Sequence, residues 1–134
     1  MEKSTKSNVG LWIDHREAII VSIANGVEKF HSIESGVEKH VRFSGGKPDD
    51  QVDNKFNNHL NEYYDKVKAY LREADSILIL GPGEAKVELS VRLKGDALGD
   101  RIEGIETTDK MTQHQIAAKV RQHFLGSTKE ILQQ

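Results

Sequence analysis

The sequence predicts an α/β fold, a mixed sheet that opens as an antiparallel meander, continues with parallel strands and carries three helices on its faces. Three observations lead there. The first third alternates short β-branched runs with turn signals. Residues 50 to 74 then repeat apolar side chains every three or four positions. After them come two short apolar runs, Ile77 to Leu80 and the stretch around Ile102 and Ile105, each preceded and followed by a helix-like segment. That order supplies the crossovers parallel strands need.

The elements follow in turn. Val9 to Ile13 is apolar, Asp14-His15-Arg16 interrupts it, and Glu17 to Ala24 resumes it with β-branched residues. Asn25-Gly26 is the strongest hairpin signal, because both residues tolerate positive φ. Val27 to Ile33 alternates as a third strand with one mixed face, Glu34-Ser35-Gly36 reads as a turn, and Val37 to Phe43 as a fourth extended segment. Ser44-Gly45-Gly46-Lys47-Pro48 ends that pattern, and Asp49 or Asp50 can cap the next helix. Along that helix Val52, Phe56, Leu60, Tyr63/Tyr64, Val67 and Leu71 make one stripe. Ile77 to Leu80 is apolar at every position, as a strand covered on both faces must be.

The next segment is ambiguous. Val87, Leu89, Val91 and Leu93 alternate as in a strand, while Ala85, Leu89 and Leu93 form a helical stripe; the preceding Gly81-Pro82-Gly83 favours the helix. Arg101 to Thr107 is the expected last strand. Thr112-x-x-Gln115 has capping-box spacing, and Ile116, Val120 and Phe124 line one face of a final helix that Gly126 is expected to stop. The expected organisation is a flexible N-terminus over residues 1–8, one domain over 9–125 and a tail over 126–134.

Composition bounds the function. A chain of 134 residues suits a single domain. Cysteine is absent, which excludes thiolate metal sites, disulfides and cysteine nucleophiles and suits a reducing, cytoplasmic setting. The opening MEKSTKSN carries no signal-peptide core, and no run approaches the roughly 20 apolar residues of a membrane span. A net charge of −2 argues against coating free nucleic acid by general electrostatics.

Four features invite chemistry. Gly81-Pro82-Gly83 can offer helix N-terminal amides to an anion. It lacks the Gly-Lys-Ser/Thr ending of a phosphate loop and the third glycine of a dinucleotide fingerprint, and Glu84 puts a negative charge at the helix start. A strand-to-helix corner is the alternative. Asp14, with Glu84 and Asp109, gives three carboxylates at strand ends that could gather Mg²⁺ for a metal-dependent nuclease or phosphodiesterase; a polar hairpin turn is the plainer role for Asp14. The six histidines, His15, His31, His40, His59, His114 and His123, show no metal-binding spacing. Lys39, His40, Arg42 and Lys47 crowd around the Gly-Gly turn, where they suit RNA phosphates or a solvated edge strand equally.

VGLWIDHREAIIVSIANG, SGGK ahead of a long helix, ILILGPGEAKVEL and IEGIETTDKMTQHQIAAKVRQHF together resemble, in that order, the middle domain of eukaryotic and archaeal class 1 peptide-chain release factors and their ribosome-rescue relative Pelota, including bacterial release-factor-like relatives. The likeness spans roughly residues 8 to 125. It implies a ribonuclease H-like fold in which Gly81-Pro82-Gly83 is a structural turn and the functional loop lies elsewhere. Gly45 and Gly46 match the two glycines of the release-factor GGQ loop, where close backbone approach matters. Lys47 departs from the glutamine, and an ammonium has no acceptor for the proton of an incoming water. Hydrolase activity is therefore not carried over.

The resulting expectation is a cytoplasmic, translation-related, non-catalytic domain without cofactor. It binds ribosome, tRNA or a translation-linked partner through Gly45, Gly46, Lys47, Arg42 and Lys39. The alternatives are the metal-dependent nuclease on Asp14, Glu84 and Asp109, and a self-associating adaptor module. The oligomeric state stays open.

Overall fold

The computed structural model describes residues 7–36 and 50–132. Strands β1 (Asn8–Ile13), β2 (Glu17–Ala24) and β3 (Val27–Glu34) precede helix α1 (Asp50–Leu71). Then come β4 (Ser76–Gly81), α2 (Ala85–Gly95), a short 3₁₀ turn (Gly99–Arg101), β5 (Ile102–Thr107) and α3 (Gln113–Leu132). The five strands form one sheet in the order β3-β2-β1-β4-β5. Pairing is antiparallel for β1–β2 and β2–β3 and parallel for β1–β4 and β4–β5. Among the described residues the fold is thus the mixed, three-helix α/β arrangement the sequence predicts. The expected fourth extended segment, Val37 to Phe43, lies outside the described residues.

Local chemistry explains the turns. Asn25 and Gly26 take φ of 57° and 77° between the paired residues Ala24 and Val27, the double left-handed conformation of a tight hairpin. At the other hairpin the Asp14 carboxylate accepts from the backbone amides of Arg16 at 2.8 Å and Glu17 at 2.9 Å, closing the chain on itself.

β4 runs through the middle of two cores. Ile77 and Ile79 meet β1, β2, α1 and α2 on one face, with Leu60, Tyr63, Tyr64, Val67, Leu71, Leu89 and Leu93 among the partners. Leu78 and Leu80 meet Trp12, Ile116, Ala117 and Val120 of the α3 layer on the other. Every residue of β4 is buried, and each aliphatic side chain so buried contributes roughly 1.5–3 kcal/mol.

The ambiguous segment is a helix. It turns Ala85, Leu89 and Leu93 onto the sheet and leaves Val87 and Val91 at the surface. The capping box at the start of α3 is complete: the Gln115 amide donates to Thr112 Oγ1 at 3.1 Å, and the Thr112 amide donates to Gln115 Oε1 at 2.9 Å. One expectation fails here. Gly126 does not stop α3, which continues to Leu132, so the expected tail begins as helix. An interior glycine costs only about 1 kcal/mol relative to alanine. The Lys129-Glu130-Ile131-Leu132 stretch beyond it consists of residues compatible with a helix.

Two glycines mark close approaches. A side-chain carbon at Gly81 would overlap the Ile13 carbonyl oxygen of β1, so the end of β4 lies against its neighbour only because the side chain is missing. A carbon at Gly10 would run into the Val120 side chain of α3. Among the described residues no helix is long and apolar enough to cross a membrane.

Candidate functional site

β1 and β4 run parallel, so their carboxyl ends lie at one end of the sheet, where the loops of open α/β sheets build their sites. There the β1–β2 turn, α1 and α2 enclose a groove of about 730 Å³ lined by His15, Leu60, Asn61, Tyr64, Val87, Glu88, Val91 and Arg92.

Each contributor has a local cause. The stripe of α1 buries both Tyr63 and Tyr64, and their hydroxyls, which need partners when buried, reach the rim. Tyr63 donates to the carbonyl oxygen of Asp14 at 2.8 Å, and Tyr64 donates to Glu88 Oε1 at 2.6 Å. Ser35 adds a second anchor to the turn by donating to the His15 carbonyl at 2.6 Å. His15 Nε2 lies 3.1 Å from the same Glu88 oxygen; because a carboxylate only accepts, that nitrogen carries the proton in this bond. With α2 fixed by Ala85, Leu89 and Leu93, Glu88 and Arg92 face α1.

The electrostatics are lopsided. Burial, then the hydrogen bond and charge of Glu88, push the Tyr64 phenol well above its ordinary range. Burial, then the charge of Asp14, does the same for Tyr63. Both phenols therefore remain protonated donors. Glu88 has two donors on one oxygen. Arg92 bonds to the Asn61 side-chain oxygen, and its guanidinium carbon lies 5.0 Å from the centre of the Tyr64 ring. Among the described residues no carboxylate pairs with it. The His15–Glu88 contact has both side chains about 40% exposed and contributes at most about 1 kcal/mol. The cluster fixes donors and one cation along a partly apolar wall, and it offers no nucleophile beside a free base.

The sequence-predicted residues are placed as follows. Asp14 spends one carboxylate oxygen on the hairpin turn. Glu84 is exposed at the N-cap of α2 and makes no side-chain cap bond. Asp109 is exposed beyond β5, and its carbonyl oxygen accepts from Trp12 Nε1 at 3.0 Å. Among the described residues no three acidic or histidine side chains group closely enough to hold a metal ion. Gly81, Pro82 and Gly83 join the end of β4 to α2, whose first residue is Ala85. Lys39, Arg42, Gly45, Gly46 and Lys47, with His40, lie outside the described residues.

Sequence reasoning missed the groove. Tyr64 reads as core, His15 as turn, and Glu88 and Arg92 sit in the segment of ambiguous period. One signal was available: the helical reading of that segment places Glu88 and Arg92 one turn apart on a single face.

No protein-family model matches the sequence, and no curated protein matches it. Solved structures do. Thermoplasma acidophilum Pelota is 20% identical with a TM-score of 0.55 over 84% of this chain and 31% of its own. Archaeoglobus fulgidus Pelota is 13% identical with a TM-score of 0.55 over 95% and 37%. An archaeal translation termination factor is 13% identical with a TM-score of 0.51 over 93% and 39%. The chain thus spans between three and four tenths of the length of each, and what it shares with them is the fold.

Proposed function

We propose that this chain is a translation-machinery module of the Pelota and release-factor middle-domain type, binding the ribosome, tRNA or a translation-linked partner in the cytoplasm without hydrolysing peptidyl-tRNA. The observation that carries the reading is the likeness to Pelota and to the termination factor over 84% to 95% of the chain. The quoted motifs support it independently, because they occur in the family's order along the chain. In this reading the binding segment is Ser44 to Pro48 with Lys39 and Arg42. Gly45 and Gly46 permit close backbone approach, and Lys47 supplies a phosphate-seeking cation where hydrolysis would need glutamine.

Co-sedimentation with ribosomes across a salt series tests it. The wild-type chain is expected in the ribosomal fraction at moderate salt. Replacing Gly45, Gly46 and Lys47 together by alanine should release it, and its retention should fall as salt rises. Wild-type protein that stays in the supernatant at low salt, or a triple variant that sediments unchanged, refutes the reading.

A further inference from the structure

We draw no further inference here: the strongest candidate, the groove between α1 and α2 with Val87 and Val91 exposed on its α2 wall, holds the Glu88 carboxylate beside the Arg92 guanidinium and so selects no charge, and nothing in the structure shows what covers it.

Discussion

The contact between Gly10 and Val120 makes the packing of α3 on the sheet directly testable. Gly10 lies on β1 facing α3, and a methyl group there would overlap Val120 Cγ2, come 2.9 Å from Cγ1 and 3.1 Å from Cβ. Carbon atoms settle at about 3.5–4.0 Å. All three Val120 carbons are too close, and a helical valine has one strongly preferred rotamer, so rotation offers no escape. Either α3 or β1 must shift. Overpacking of this kind costs about 1–3 kcal/mol, against which replacing a strand glycine returns about 0.5–1 kcal/mol. Gly10→Ala should therefore destabilise by about 1–2 kcal/mol.

Val120→Ala alone removes two methyls of a fully buried side chain and should cost about 2 kcal/mol once the cavity is included. Together the two changes relieve each other, because the new methyl at position 10 enters space that the valine vacates. The double variant should be more stable than the sum of the single effects by at least about 1 kcal/mol. Urea unfolding followed by the single tryptophan, Trp12, reads all three variants from within the same α3-side core. Strict additivity, or a Gly10→Ala protein more stable than wild type, would refute the placement of α3 against β1.

Two further outcomes follow from the packing of the turns and the buried phenols. Gly81→Ala should cost about 2 kcal/mol or more in urea unfolding, because the obstructing atom is a backbone oxygen of Ile13, whereas Gly83→Ala, with open space around it, should stay within about 0.5 kcal/mol of wild type. Tyr63 and Tyr64 have folded-state pKa values raised above the ordinary value of 10.0, so above that pH the native state holds protons the unfolded chain has released. Their contribution is complete below pH 10 and is lost as pH rises, with a slope approaching about 2.7 kcal/mol per unit for the two phenols together. Denaturation at pH 9 to 12 checks this, and Tyr64→Phe should roughly halve the slope.

Much of the architecture was legible because it depends on local chemistry. Asn25-Gly26 specifies its hairpin through the positive φ that both residues accept, and Thr112 and Gln115 specify a helix start by exchanging bonds over three residues. Ile77 to Leu80 specifies a doubly covered strand because no polar face survives in it. Gly126 misled, since a glycine alone weakens a helix without ending it. Gly10, read only as part of the apolar run Val9 to Ile13, is a site of close approach, which depends on Val120 more than a hundred residues away. The groove was illegible for the same reason. Tyr64 meets Glu88 across 24 positions and His15 meets Glu88 across 73, and no local pattern encodes either pairing.

The segment whose period was ambiguous is also the one that carries the groove, and the two facts have one cause. Alternation would bury Val87, Leu89, Val91 and Leu93 together as one face of a strand. The Gly81-Pro82-Gly83 corner and the stripe of Ala85, Leu89 and Leu93 make the segment a helix, and a helix cannot bury all four. Once Leu89 and Leu93 turn inward, the 100° step per residue carries Val87 and Val91 outward and sets Glu88 and Arg92 toward α1. Val87 and Val91 are thereby left at the surface, 50% and 60% exposed, beyond the needs of the core. Replacing Val87 and Val91 by serine should therefore leave folding stability, read by urea unfolding, nearly unchanged. A large loss of stability would mean that these valines serve the core after all, and the outward placement of this face of α2 would fall with it.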